Sequence, residues 1–223
     1  MRAHRGLLAG TAVFAVGVFA VLWLGYAWQW TWLARVDAAA LEPMDRLGEA
    51  YPGWATAWDV FCTVLGPGAF RLVTLVVIVV ALVRRHVRIA MFLVISVELS
   101  GLVTEIAKAL VDRPRPDTAM VSALGSSFPS GHALGVMVSV LALLTVGLPV
   151  VHASRRAWLI ALGVVVIVTI GVGRVALNVH HPSDVLAGWA LGYAYFVACL
   201  LLVPPVRTVT QSAGTPAAHG SER

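Results

Sequence analysis

The feature that most constrains this chain is the recurrence of apolar stretches about as long as a bilayer core is thick. A helix crossing ~30 Å of hydrocarbon needs about 20 consecutive apolar residues. Such stretches lie near 7–27, 68–83, 88–110, 131–151, 157–177 and 184–204. Hydrocarbon offers no water to backbone groups, so only helices and closed barrels span it. Runs this long, without strict alternation, predict helices. The expected fold class is all-α: a polytopic membrane protein, a six-transmembrane-helix bundle forming one domain over residues 1–206. Only 12% of residues are charged, about half the share of a soluble domain. That excludes a disordered chain and a basic nucleic-acid-binding module, so nucleic acid is not an expected partner.

The 68–83 stretch is the shortest and carries Arg71. The first stretch follows Met-Arg-Ala-His-Arg, as a signal peptide would. Its apolar run is too long for one, and Trp28, Trp30 and Trp32 follow directly, so it reads as an uncleaved anchor. Residues 28–67 read as an outer loop with an interfacial belt of tryptophans. Within it, 55–65 reads as a short interfacial helix, too short to span and carrying Asp59. The 207–223 tail, rich in Ser, Thr, Gly, Ala and Pro, reads as disordered and cytoplasmic. Cys62 and Cys199 match no disulfide framework or metal spacing and read as small apolar filler.

Arginines set the expected direction. Even numbers of spans separate Arg2 and Arg5, the Arg84-Arg85-His86-Val87-Arg88 turn, the Arg155-Arg156 turn and the tail with Arg207 and Arg223. These share one side, which the positive-inside tendency makes cytoplasmic. The other side, extracytoplasmic, receives Lys108, Arg115, His132, Arg174, His180 and His181 at the ends of apolar spans. Ionisable groups at such positions are costly and mark a functional site by default.

Three segments carry them. Lys108 sits in the last turn of the third span, in Lys-Ala-Leu-Val-Asp-Arg-Pro-Arg115-Pro116. Pro114 and Pro116 stop the helix and stiffen the turn. A point charge beside a planar guanidinium suits a phosphate. Pro129-Ser130-Gly131-His132 opens the fourth span, where Ser130 can cap the helix and the Gly131 and His132 amides face an oxyanion. His132 in that first turn is placed to donate a proton. Gly173-Arg174 ends the fifth span, and His180-His181-Pro182-Ser183-Asp184 opens the sixth. Asp184, in the first helical turn, is placed to hold Nδ1–H of His180 and leave Nε2 for a substrate. His181 reads as a surface residue, and Asp112, Arg113 and Asp117 as a solvated turn to whose positive field Arg113 adds. Glu105 pairs with Lys108 along the helix, whereas Glu98, deeper in the same span, has no partner in sequence.

These three segments resemble the type-2 phosphatidic acid phosphatase superfamily of integral membrane lipid phosphatases. Its pattern is Lys-x6-Arg-Pro, Pro-Ser-Gly-His and Ser-Arg-x5-His-x3-Asp. Every position matches except the serine, replaced here by Gly173, which is expected to trim phosphate affinity without abolishing chemistry. The resemblance covers residues 108–184 by motif and about 7–204 by layout. It implies that His180 attacks phosphorus to form a phosphohistidine and that Asp184 orients His180. His132 then protonates the leaving oxygen, and Lys108, Arg115, Ser130, Gly131 and Arg174 hold the phosphate. It implies no metal and no cofactor. The substrates it implies are phosphatidic acid, phosphatidylglycerol phosphate or polyprenyl diphosphate. Vanadate-dependent haloperoxidases share the motifs but are not built from membrane spans. Three other readings compete: a lipid-linked phosphotransferase with the same site, a transporter using Glu98 and Glu105, and a zinc site of His132, His180, His181 and Asp184.

Overall fold

The computed structural model describes residues 2–206, and the 207–223 tail lies outside the described residues. Among the described residues, nine α-helices follow in chain order: α1 Arg2–Ala27, α2 Thr31–Ala50, α3 Trp54–Val64, α4 Pro67–Val83, α5 Val87–Leu93, α6 Ser100–Val111, α7 Gly131–Gly147, α8 Ala153–Ala176 and α9 Pro182–Leu202. A π-helical turn, Val94–Glu98, joins α5 to α6. Among the described residues, six stretches are long and apolar enough to cross a membrane: Ala3–Ala27, Trp54–Val83, Val87–Val111, Gly131–Val150, Ala153–Ala176 and Pro182–Leu202. Exposed Phe14, Leu72, Val76, Leu102, Leu162 and Leu186 stand around the bundle. On a soluble protein such a surface would aggregate, but in a bilayer it faces lipid.

The segment expected to be an outer loop, 28–67, is mostly helical. Leu33, Asp37 and Leu41 are the buried residues of α2, spaced four apart on one face. Charges at Arg35, Asp45, Arg46 and Glu49 obscure that period in the sequence. The 55–65 segment is α3, and it runs into α4 through Leu65 and Gly66, so together they make a stretch of 30 residues. Asp59 and Arg71 are the two charged residues in that stretch.

The bundle centres on α7 and α9, with α8 packed on α7 and α1 on α9. Gly188 and Gly192, one turn apart on α9, permit this. A Cβ at Gly188 would lie 2.6 Å from the Ser130 carbonyl oxygen, and one at Gly192 would lie 3.0 Å from that of Leu134. Small residues spaced by four let membrane helices approach to backbone contact. The approach places the head of α7 against the head of α9, where the Ser130 amide donates to the Asp184 carbonyl at 2.9 Å.

Glu98 makes no ion pair among the described residues, and its buried Oε1 has no hydrogen-bond partner there. It lies in the field of Arg71 on α4, and Gly101 makes room, since a Cβ there would sit 2.5 Å from Arg71 Nη2. Removing one of two opposite charges that share a field inside a bilayer leaves the other less compensated. Arg71→Leu is therefore expected to lower the thermal midpoint of the detergent-purified protein by several degrees. Adding Glu98→Gln should return most of the loss, as a double-mutant cycle reads directly.

Candidate active site

The site is assembled from four pieces: the end of α6, the 112–130 loop, the head of α7, and the turn from α8 to α9. Asp112 ends α6 in a left-handed conformation, with φ 43°. That sends the chain through Arg113-Pro114-Arg115-Pro116 back across the bundle top.

His180 is buried, 2% exposed. Its Nδ1 lies 2.8 Å from the Ser127 carbonyl oxygen, and its Nε2 lies 3.3 Å from Arg115 Nη1. A carbonyl only accepts, so Nδ1 carries the proton and donates to Ser127. Nε2 then presents its lone pair toward Arg115. Burial, the largest influence, pushes the ring down to about 4, with Asp184 opposing, so the imidazole is neutral at physiological pH.

Asp184 does not make the hydrogen bond expected of it. Its Oδ2 stands 3.6 Å from His180 Nδ1, an ion-pair distance. The same oxygen accepts from the His181 amide at 2.8 Å and from His181 Nδ1 at 3.1 Å, forming the capping box of α9. His181 is thus bound to Asp184 and is not a free surface residue. The physical reason is local: a carboxylate three residues into a helix reaches its own cap first.

Arg113, expected in a solvated turn, is buried. Its Nη1 donates to Asp184 Oδ1 at 2.7 Å and to Ser183 Oγ at 2.7 Å. Its Nη2 donates to Asp37 Oδ2 at 2.8 Å. Asp37, on α2, also accepts from the Ser183 amide at 3.0 Å and the Ser183 hydroxyl at 2.6 Å. Arg113 lies over the Tyr26 ring, 5.0 Å from its centroid. Sequence reasoning missed Asp37 entirely; the available signal was a carboxylate on the apolar face of an amphipathic helix.

The remaining residues converge. Arg115 donates to the carbonyls of Gly125, Leu124 and Val179 at 3.1, 2.9 and 2.9 Å, which pins the loop beside His180. Ser130 caps α7, its hydroxyl accepting from the Ala133 amide at 3.4 Å. The Gly131 and His132 amides, first in the helix, have no intrahelical partner. The charged and ionisable neighbours of the His132 ring are Arg174, His180, Lys108 and Arg115. Lys108 lies 3.7 Å from Glu105, whose side chain is 72% exposed, so water weakens that pair. Arg174 is 5% exposed, and its buried Nε has no hydrogen-bond partner among the described residues. A buried guanidinium with an orphaned donor is costly unless an anion completes it. Gly173 faces Cys62 and Trp58 of α3.

Among the described residues, no three His, Cys, Asp or Glu side chains gather as a metal-holding group. A cavity of about 580 Å³ lies between α1, α2 and residues 113–118; Tyr26, Trp30, Asp37, Arg115 and His181 line it.

A helical membrane bundle with three cations and two imidazoles gathered near its head marks a class of integral membrane proteins with a cationic site. The sequence profile of the PAP2 superfamily matches residues 89–207, more than half of the 223-residue chain, and the chain belongs to that superfamily. It is similar to phosphatidylglycerophosphatase B of Bacillus subtilis (strain 168), 34% identical over 99 residues, 43% of this chain and 48% of that protein. It is similar to undecaprenyl-diphosphatase of Sulfolobus acidocaldarius, 32% identical over 116 residues, 49% of this chain and 52% of that protein. It is also similar to lipid A 1-phosphatase of Rhizobium johnstonii, 30% identical over 177 residues, 69% of this chain and 65% of that protein. The chain spans about half the length of the first two relatives. The fold matches the crystal structure of a transmembrane PAP2 type phosphatidylglycerolphosphate phosphatase from Bacillus subtilis. The TM-score is 0.72 at 21% identity, covering 85% of this chain and 94% of that one.

Proposed function

We propose that this protein is a membrane-embedded lipid phosphatase that hydrolyses a phosphomonoester or diphosphate headgroup through a phosphohistidine on His180. The observation that carries this reading is a buried imidazole, tautomer set by the Ser127 carbonyl, beside a buried arginine with an orphaned donor, Arg174. Family membership and the names of the relatives, all phosphatases, support it.

The chemistry follows from the placement. Lys108, Arg115 and Arg174, with Ser130 and the Gly131 and His132 amides, hold the phosphoryl oxygens and offset their charge. Arg115 turns its Nη1 from Nε2 to a phosphoryl oxygen, which frees the His180 lone pair. Nε2 attacks phosphorus, and the bond to the leaving oxygen breaks as His132 gives that oxygen a proton. Asp184, 3.6 Å from Nδ1, stabilises the positive charge on the loaded ring. Water then attacks phosphorus, His132 takes its proton, and the P–N bond breaks with its electrons returning to Nε2. An apolar groove of about 260 Å³ between α1 and α6, lined by Phe19, Trp23, Ile106 and Leu110, lies beside the turn carrying Lys108 and suits a hydrocarbon tail.

The test is phosphate release by the purified full-length chain from phosphatidic acid, phosphatidylglycerol phosphate and a polyprenyl diphosphate, with chelator present. At least one should be hydrolysed and orthovanadate should inhibit; no release from any of them ends the reading. We also place the site on the extracytoplasmic face, with the chain ends cytoplasmic. Cys62 and Cys199 are buried, so added thiols report cleanly. An impermeant maleimide should label exposed Asp117→Cys in intact cells and Ser154→Cys only after permeabilisation; the reverse pattern inverts the topology.

A further inference from the structure

Gly173 is where the motif would carry serine, and the structure leaves no room for one. A Cβ at 173 would lie 2.6 Å from Cys62 Sγ and 2.9 Å from Trp58 Cε3. Real Cβ atoms do not approach other atoms that closely, so the thiol of α3 occupies the volume a residue-173 side chain would need. Cys62 is fully buried, and its sulfur neighbours the Arg174 guanidinium. Arg174 is itself 5% exposed with an orphaned Nε.

The rest of α3 is fastened to the same end of α8. Trp54 Nε1 donates to the Ala176 carbonyl at 2.9 Å, and Trp54, Trp58 and Phe61 stack edge to face in series. Cys62 is therefore held in place by its helix and is not a passing contact. It also lies outside the 89–207 segment that the superfamily profile matches.

We propose that Cys62 is a positioning residue for Arg174. Its sulfur replaces, from another helix, the side chain missing at Gly173 and sets the guanidinium at the height of the bound phosphoryl group. A neutral sulfur is a weak acceptor of the guanidinium N–H and a polarisable wall against it. It constrains the cation without neutralising it, as a carboxylate would. The inference rests on the reading of Arg174 as an anion-holding residue.

The test uses the full-length protein in detergent, with orthovanadate binding by calorimetry, phosphate-release kinetics and thermal midpoint measured together. Cys62→Ala should weaken orthovanadate binding about fivefold and raise KM in parallel, with kcat within about twofold. Gly173→Ser should weaken binding more than tenfold, because its side chain meets Sγ. The double variant Cys62→Ala with Gly173→Ser should bind at least about fivefold tighter than Gly173→Ser alone, a coupling that independent sites lack. A Cys62→Ala protein that loses thermal stability but binds orthovanadate like the parent overturns the proposal, as does simple additivity in the double variant. If Gly173→Ser does not fold, the Cys62→Ala comparison decides alone. A parent that binds orthovanadate yet releases no phosphate from any lipid sinks the hydrolase reading and leaves this proposal standing. A parent that hydrolyses lipid but shows no Cys62 effect does the opposite, and a parent that binds no orthovanadate overturns this proposal.

Discussion

His180→Ala is expected to abolish phosphate release, by at least ~10³-fold, in a protein that still folds and still binds orthovanadate. The magnitude follows from the role. A group that forms the covalent intermediate cannot be replaced by neighbours that only hold the phosphate. Quench of the parent during turnover of a ³²P-labelled substrate should trap an acid-labile, base-stable phosphoenzyme, and the variant should trap none. Equal labelling of both proteins would remove His180 from the chemistry. The pH profile adds an independent check. Burial holds His180 near 4 with Asp184 opposing, against an ordinary value near 6.5. The proposed nucleophile is therefore already deprotonated at pH 6, and its acid limb in kcat/KM should fall toward pH 4 instead of near 6.5. The same shift has a stability sign. Between about pH 4 and 6.5 the unfolded chain binds a proton at this position that the folded chain does not, so stability falls as pH drops through that window.

The parts of this molecule visible in its sequence are those governed by composition and short spacing. Span length follows from hydrocarbon thickness, so the long apolar runs pointed to the bundle directly. The Lys108-to-Pro116, Pro129-to-His132 and Arg174-to-Asp184 segments could be read because each is contiguous, and they meet because Gly188 and Gly192 bring α9 onto α7. What stayed hidden depends on distant partners. Ser127 fixes the His180 tautomer through its backbone carbonyl, and a carbonyl leaves no trace in residue identity. Asp37 sits among charged neighbours on α2, so its burial shows only once α2 packs against α8 and α9. The i, i+4 spacing points Asp184 at His180, yet helix capping binds it to the nearer His181. The Cys62–Gly173 contact joins two helices far apart in the chain, and nothing local connects them.

Arg113→Ala should cost about 3–5 kcal/mol of stability and lower kcat/KM by at least ~10²-fold in whatever fraction remains folded. The loss follows from what the guanidinium now satisfies. Asp37 and Asp184 are 2% and 0% exposed, and the same side chain serves both, at 2.8 and 2.7 Å. Their other oxygens are taken by Ser183 and His181, so removing Arg113 leaves two buried carboxylates facing one another with no cation between them. One must then protonate or admit water, and Asp184 moves relative to the His180 ring it is proposed to stabilise. Arg113→Lys should recover little. One ammonium cannot present separate donors to Asp37 and to Asp184 with Ser183 while lying flat over Tyr26. Asp37→Asn should be milder, about 1–2 kcal/mol, because Arg113 keeps its bond to Asp184 and the amide oxygen can still accept from Ser183. Thermal melts of the three variants, ranked against their kcat/KM, separate positioning from scaffolding. If Arg113→Ala melts early but its folded fraction turns over like the parent, the network only holds α2 to the bundle. If the variants lose kcat/KM in the order Ala, Lys, Asn, then α2 reaches the reacting histidine through Arg113 and Asp184.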